Sequence, residues 1–113
     1  MPHLVLEHSA PLAEGHDLQA LCQTLFDRLA QMPEIPNPSS IKIRTQPSPA
    51  WVIGTEPQSF LHATLHALPG RTGAQKSTLT GAILDTLQTA LPDVGSLSVN
   101  YSELSAAYAK RTL

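Results

Sequence analysis

Residues 59–75, SFLHATLHALPGRTGAQ, contain the longest strand pattern of the chain and the start of a helix. Every second position is apolar, at Leu61, Ala63, Leu65 and Ala67, which is the period of a half-buried strand. Pro69 and Gly70 end this strand sharply. Thr72 and Gln75 have the spacing of a capping box, which predicts that a helix begins there. The stretch therefore predicts a strand that leads directly into a helix.

A helix and a further strand are predicted after this stretch. The apolar residues of the helix recur every four positions, at Leu79, Ile83, Leu87 and Leu91. Pro92 and Gly95 stop the helix. Residues 96–104 alternate between apolar and polar side chains, which predicts the last strand, and residues 105–113 predict a weakly helical tail. The second half of the chain thus predicts a strand–helix–strand unit.

The first half of the chain predicts the same unit, offset by roughly 58 residues. Residues 3–8 predict a strand, and residues 15–17 open a helix. One face of this helix is apolar and carries Leu18, Leu21, Cys22, Leu25, Leu29 and Met32. Residues 40–45 alternate cleanly and predict the second strand, with Lys42 and Arg44 on one face.

Prolines mark the connection between the two units. The first helix is ended by Pro33, Pro36 and Pro38. Pro47 and Pro49 predict an interruption of the second strand, because proline cannot donate to the hydrogen-bond ladder of a sheet. Residues 50–53 predict a short extension of that strand or a separate edge strand, which Gly54 ends.

Two strand–helix–strand units side by side predict an α+β (α/β) fold. Each helix returns its second strand parallel to the first, which gives a four-stranded sheet with both helices on one face. We expect a single domain over residues 1–113, with repeats at about 1–54 and 58–104 and a C-terminal tail. The opposite sheet face is left uncovered and carries Val5, Phe60, His62, Thr64 and Leu68. Uncovered faces of this kind are often interfaces, so the topology predicts a homo-oligomer.

Composition narrows the function classes. The chain of 113 residues is 42% hydrophobic and only 14% charged, which is typical of a globular domain. Its net charge of -2 argues against a broad nucleic-acid surface. Cys22 is the one cysteine, so no internal disulfide and no cysteine-based zinc site are expected. With no signal peptide and no membrane span recognisable, we expect a soluble cytoplasmic protein without a membrane partner.

The opening residues 1–8, MPHLVLEH, carry a chemical signal besides a strand. Removal of Met1 would make the Pro2 nitrogen a secondary amine. A free α-amino group has a pKa of about 8, and burial or nearby cations would lower it toward a neutral base at pH 7. While Met1 is attached, that nitrogen is an amide and cannot act as a base. Most Met-Pro openings do no chemistry, so this interpretation depends on the rest of the chain.

Three segments together resemble the tautomerase superfamily, and within it the 5-carboxymethyl-2-hydroxymuconate Δ-isomerase family. The first is Met-Pro-His at residues 1–3, and the second is Ile-Lys-Ile-Arg at residues 41–44. The third is Phe-Leu-His-Ala-Thr-Leu at residues 60–65, which runs on to Gly70 and Arg71. Met-Pro is a weak signal by itself, whereas a long strand with Gly-Arg at a fixed distance is more specific.

The resemblance implies a homotrimer that acts on a small dicarboxylate and needs no metal or other cofactor. It implies that Pro2 is the general base and, after one proton transfer, the acid. Lys42, Arg44 and Arg71 are then the candidates for binding the carboxylates and the developing oxyanion of the substrate. The reaction of the family moves a double bond, so that a dienol becomes a conjugated ketone.

Two departures from the family pattern leave the substrate open. The family usually has arginine at the position of Lys42, and lysine keeps the charge but lacks the planar fork that grips a carboxylate. The proline-rich region between Thr45 and Gln58, and the C-terminal tail, are also shorter than in one member of the family.

Each candidate residue also has a structural interpretation. The positions of Lys42 and Arg44 are also typical of the solvent-exposed face of an edge strand. The position of Arg71 is also typical of a solvent-exposed turn. His62 and His66 share a strand face, where packing is favoured over metal binding because further ligands are not evident. His3 is a further candidate for lining the site, and Trp51 is interpreted as a packing residue.

Two other functions fit the same residues. One keeps Pro2 but changes the chemistry to hydration, dehalogenation or decarboxylation of related acids. The other is a trimeric binding protein that has kept the fold and lost the activity. Replacement of Pro2 separates the enzymes from the binding protein, because a binding role should survive it.

Overall fold

Four strands and two long helices follow one another in the predicted order. The computed structural model describes all 113 residues. The elements are strand β1 (His3–Ser9), helix α1 (Leu12–Gly15), helix α2 (Leu18–Ala30), a 3₁₀ turn (Pro38–Ser40), strand β2 (Lys42–Ser48), strand β3 (Phe60–Ala67), helix α3 (Gly73–Ala90) and strand β4 (Ser96–Glu103).

The sheet joins two parallel pairs of strands through an antiparallel centre. Its order is β2-β1-β3-β4, with β1 parallel to β2, β3 parallel to β4, and β1 antiparallel to β3. The predicted pair of parallel units is therefore confirmed. In the register, His3 lies opposite Lys42 on one side and opposite His66 on the other.

The hydrophobic core lies between the sheet and the two long helices. Alternate residues of the central strands point into it, as the sequence pattern predicts. The residues with no exposed surface are Leu4, Leu6, Leu25, Leu29, Leu61, Ala63, Leu65, Leu79, Ile83 and Leu87. Because the core fixes β1 and β3 at the centre of the sheet, it also fixes the position of Pro2, which directly precedes β1.

The opposite sheet face is uncovered in the protomer and is largely polar. Residues that alternate with the core positions form it, among them His3, Val5, Glu7, Lys42, Arg44, Phe60, His62, Thr64, His66, Ser98 and Asn100. Its side chains bond to one another across strands; for example, His62 Nδ1 lies 2.6 Å from the Ser98 hydroxyl. Leu68 follows the end of β3 and is 38% exposed.

The prediction that Pro47 interrupts the second strand is wrong. Strand β2 continues through Pro47, which lies opposite His8, as far as Ser48. This is possible because β2 is an edge strand, where the missing N–H faces no partner strand.

Residues 50–53 form neither an extension of β2 nor an edge strand, so that prediction is also wrong. Side-chain bonds replace the ladder here. The Trp51 indole N–H donates to the carbonyl of Gln58, and the Gln58 amide donates to the carbonyl of Ile53 at 2.6 Å. Trp51 also packs against Phe60, with ring centroids 6.4 Å apart, which agrees with its predicted packing role.

The predicted capping box is confirmed at the start of α3. The Gln75 backbone N–H donates to the Thr72 hydroxyl at 3.2 Å, and the Thr72 N–H donates to the Gln75 side chain at 2.8 Å. The first predicted helix is α2, which begins after Asp17 as expected; the Asp17 carboxylate accepts from the Ala20 N–H at 3.0 Å. The single turn α1, which precedes it, was not predicted.

The prediction of a weakly helical tail is wrong. Residues 104–113 contain only a turn, in which the Tyr108 N–H donates to the Ser105 carbonyl at 3.0 Å. None of the helices combines the length and the apolar character that a membrane crossing requires.

Candidate functional site

The predicted site residues are distributed around one end of the sheet. Pro2 is buried, and its carbonyl accepts a hydrogen bond of 3.0 Å from the backbone N–H of Lys42. Because β1 is antiparallel to β3, the start of β1 lies beside the end of β3, from which the chain continues to Arg71. The sheet thus brings Pro2, Lys42 and Arg71 to the same end of its strands, although they are far apart in sequence.

The N-terminal amine lies in an electropositive environment. Burial, followed by the positive charges of Arg71, Lys110 and Lys42, lowers the pKa of the Met1 α-amino group below its ordinary value of 8.0. All of these causes disfavour the charged form of an amine, and no carboxylate opposes them. Removal of Met1 would transfer the free amine to Pro2, about 3.8 Å away along the chain.

Arg71 is held by two hydrogen bonds. Its Nε donates to the Glu34 carbonyl at 3.0 Å, and one terminal nitrogen donates to the Tyr101 hydroxyl at 3.4 Å. Gly70 precedes it with a φ of +124°, which side-chain-bearing residues rarely adopt. The glycine turn and the two bonds fix the orientation of the guanidinium group, and leave other N–H donors of the fork unused.

Lys42 and Arg44 lie on the uncovered sheet face beside His3. The Lys42 ammonium group donates to the Ser40 carbonyl at 3.3 Å, and Arg44 donates to His3 Nδ1 at 3.2 Å. Both side chains are exposed and neither forms a salt bridge. The positive charges of Lys42 and Arg44 are therefore available to bind an anion next to Pro2.

Three residues at this end of the sheet were missed by the sequence analysis. Tyr108 bonds to His3, with 2.8 Å between its hydroxyl and Nε2, and the two rings meet edge to face at 5.8 Å. Lys110 acts on the N-terminal amine, and Tyr101 holds Arg71. The only sequence signal was a tail that carries a tyrosine and a lysine, and nothing in that pattern places the tail against β1.

A groove of the protomer lies away from these residues. It has a volume of about 330 Å³ and is lined by residues such as Ser9, His16, Trp51 and Asp93. None of the four predicted site residues lines it. The site around Pro2 is instead open to solvent in one protomer, because Lys42, Arg44 and Lys110 are exposed.

The titratable side chains do not form a metal-binding cluster. No group of three or more His, Cys, Asp and Glu side chains is close enough together to hold an ion. His62, which shares a strand face with His66, bonds to Ser98 instead.

Comparisons with known proteins identify the family and the fold. The family model described as CHMI, 5-carboxymethyl-2-hydroxymuconate isomerase, matches residues 2–110. A crystal structure of a 5-carboxymethyl-2-hydroxymuconate delta-isomerase has a TM-score of 0.84 at 19% identity, over 99% of this chain and 88% of that one. A 5-carboxymethyl-2-hydroxymuconate isomerase from Deinococcus radiodurans R1 has a TM-score of 0.82 at 27% identity, over 98% and 88% of the two chains.

Structures outside that family share the fold. A fused 4-OT described as a symmetric trimer has a TM-score of 0.74 at 19% identity, over 95% of this chain and 89% of that chain. No curated protein sequence matches the chain significantly.

The family match spans nearly the whole chain and confirms the resemblance seen in its three segments. The chain therefore belongs to the 5-carboxymethyl-2-hydroxymuconate isomerase family, and it is an isomerase with the tautomerase fold.

Proposed function

We propose that this isomerase moves a double bond in an unsaturated hydroxy- or keto-dicarboxylate such as 2-hydroxymuconate, or in its 5-carboxymethyl derivative, 5-carboxymethyl-2-hydroxymuconate, which carries a third carboxylate, with Pro2 as the general base. The observation that carries the proposal is the cluster of cations around the N-terminal amine. Arg71, Lys110 and Lys42 all lower the pKa of an amine at this position. The same charges would attract a substrate with two carboxylates.

Pro2 becomes a base only after Met1 is removed. Its nitrogen is then a secondary amine in a buried residue that directly precedes β1. Burial and the surrounding positive charges favour the neutral form of an amine, which is the form that accepts a proton. A positioned base of this kind contributes about 10²–10⁴-fold to a rate.

The cations have separate roles in the proposal. Arg71, whose guanidinium group is held by Glu34 and Tyr101, binds one carboxylate or the developing oxyanion in a fixed orientation. Lys42 and Arg44 are exposed and bind the other carboxylate from the sheet face. Lys42 acts as a point charge, since an ammonium group lacks the bidentate fork of arginine.

The reaction conserves atoms and electrons without a cofactor. The neutral Pro2 amine accepts the proton of the substrate hydroxyl group, and the electrons of the dienolate shift along the conjugated system. The Pro2 ammonium group then donates the proton to the carbon at the far end. One O–H bond is exchanged for one C–H bond, and the dienol becomes a conjugated ketone.

A homotrimer is part of this proposal. Its support is the uncovered sheet face, together with the fold shared with a trimeric 4-OT. The site is open in a single protomer, so a neighbouring subunit would be able to cover it. Light scattering of the purified protein should give three times the protomer mass of 12.1 kDa.

The test is ketonisation followed by ultraviolet absorbance. Protein whose Met1 removal is verified by mass spectrometry is mixed with 2-hydroxymuconate and, separately, with its 5-carboxymethyl derivative. We expect both to be converted, with a preference for the carboxymethyl compound. Pro2→Ala should lower kcat, and protein that retains Met1 should be inactive because its Pro2 nitrogen is an amide.

The outcomes separate this proposal from its alternatives. Conversion that Pro2→Ala and retained Met1 leave unchanged would show that the general-base role is wrong. The absence of conversion in fully processed protein would favour hydration, dehalogenation or decarboxylation, which the same samples can be assayed for.

A further inference from the structure

Hydrogen bonds define a chain of three residues, Arg44–His3–Tyr108. Arg44 donates to His3 Nδ1 at 3.2 Å, and His3 Nε2 lies 2.8 Å from the Tyr108 hydroxyl. A guanidinium group has only donors, so Nδ1 of His3 must be the acceptor. The imidazole is then neutral with its hydrogen on Nε2, and that N–H donates to the Tyr108 oxygen.

The direction of these hydrogen bonds determines whether the Tyr108 hydroxyl can still donate a hydrogen bond. Its oxygen accepts from His3, and its own O–H hydrogen has no acceptor within the protomer. Tyr108 is half-buried, and its ring packs edge to face on the imidazole, with an interplanar angle of 77°. The position of the hydroxyl is therefore fixed, and its hydrogen remains available for an acceptor outside the protomer.

The tail carries this donor to the proposed site. The Leu104 N–H donates to the Ala67 carbonyl at 2.8 Å, which ties the start of the tail to the end of β3. Two residues beyond Tyr108, Lys110 is close enough to lower the pKa of the Met1 amine. The Tyr108 hydroxyl is itself bonded to His3, which directly follows Pro2, so both the hydroxyl and Lys110 lie near the N-terminus.

We propose that Tyr108 binds an oxygen of the anionic substrate with its free O–H, and that Arg44 and His3 position it for this contact. The proposal rests on the proposed function, because the ligand is the dicarboxylate that the cations attract. Within it, Tyr108 is the residue that touches the substrate and His3 is a positioning residue.

Binding of a non-reacting dicarboxylate tests this contact without turnover. Muconate, which lacks the hydroxyl group that ketonises, is titrated calorimetrically into the wild type and Tyr108→Phe. The phenylalanine keeps the packing on His3 and loses only the donor. Because hydrogen bonds to charged oxygens are the stronger class, we expect muconate to bind Tyr108→Phe about 10-fold more weakly. Equal affinities would overturn the proposal.

The positioning role of His3 is tested by a double-mutant cycle. His3→Leu removes the donor to Tyr108, whereas His3→Gln retains an amide donor. We expect His3→Leu to weaken muconate binding, His3→Gln to restore part of it, and His3→Leu with Tyr108→Phe to be no weaker than Tyr108→Phe alone. Additive losses would overturn the positioning role, because they would mean that the two residues act independently.

Kinetics on the same variants separate this inference from the proposed function. If the wild type ketonises its substrate and Tyr108→Phe matches it in both kcat/KM and muconate affinity, the inference fails while the function stands. If the wild type is inactive but muconate affinity falls in Tyr108→Phe, the contact stands and the proposed reaction fails.

Discussion

His3 Nε2 and the Tyr108 hydroxyl, 105 positions apart in the chain, lie 2.8 Å from each other. This bond joins the N-terminal strand to the C-terminal tail at the end of the sheet where Lys42 and Arg71 also lie. Both ends of the chain therefore contribute to the candidate site, and substitutions at either end have predictable effects on it.

Removal of a cation near the amine should move the pH dependence of the reaction. Lys110 disfavours the ammonium form, so Lys110→Ala should raise the pKa of the Pro2 amine. Activity requires the neutral amine and is gained as pH rises through that pKa. The acid limb of kcat/KM should therefore shift to higher pH in Lys110→Ala. Arg111→Ala removes a charge from the same tail and is the matched control; an equal shift in both variants would contradict a specific role for Lys110.

Arginine at position 42 should strengthen dicarboxylate binding. Lys42 is exposed and the only hydrogen bond of its side chain is to the Ser40 carbonyl, so a longer, planar side chain meets no packed neighbour. A bidentate contact adds a second hydrogen bond to a charged oxygen, and we expect KM to fall about 3- to 10-fold. Steady-state kinetics with the carboxymethyl compound measure it, and Lys42→Gln, which lacks the charge, should raise KM. An unchanged KM in both variants would remove Lys42 from the site.

The His16–Asp93 pair should make stability depend on pH. His16 Nδ1 bonds the Leu12 carbonyl and Nε2 bonds Asp93, both at 3.0 Å, so both nitrogens donate only in the imidazolium form. The bond to Asp93, followed by that to Leu12, raises the pKa of His16 above its ordinary value. A raised pKa contributes stability that is complete below about pH 6.5 and is lost as pH rises through the folded-state pKa.

Thermal unfolding between pH 5.5 and 8.5 measures this contribution. His16→Asn should lower the midpoint at pH 5.5 and have little effect at pH 8.5. Asp93→Asn should act in the same direction, because the bond to His16 also lowers the pKa of Asp93. A midpoint difference that is the same at both pH values would show that the ion pair is not its cause.

Gly95 and Gly81 should respond in opposite ways to alanine. A Cβ at Gly95 would lie 2.1 Å from the Pro57 carbonyl oxygen, so Gly95→Ala forces the two backbones apart. We expect a loss of about 1–3 kcal/mol in the free energy of unfolding. Gly81 is exposed within α3 and has open space around it, so Gly81→Ala should add about 0.5–1 kcal/mol. Urea denaturation measures both, and equal effects would contradict the predicted contact at Gly95.

Local patterns were sufficient to predict the elements of the fold. The alternation along residues 60–67, the capping box at Thr72 and the apolar stripe of α2 depend only on neighbours in sequence, because each reflects one buried face. The errors arose where tertiary context overrides local preference. Pro47 is accepted in β2 because that strand is at the edge of the sheet, and residues 50–53 are shaped by the Gln58 side chain.

The sequence by itself determined the two strand–helix–strand units, the basic pair on the second strand and the proline next to Met1. Periodicity and chain order carry that information, and so does the family resemblance. Only the tertiary structure decided that Tyr101 holds Arg71, that Lys110 acts on the N-terminal amine and that His3 joins Arg44 to Tyr108. These contacts depend on the antiparallel pairing of β1 with β3 and on the path of an irregular tail, and neither leaves a periodic pattern in the residues that form it.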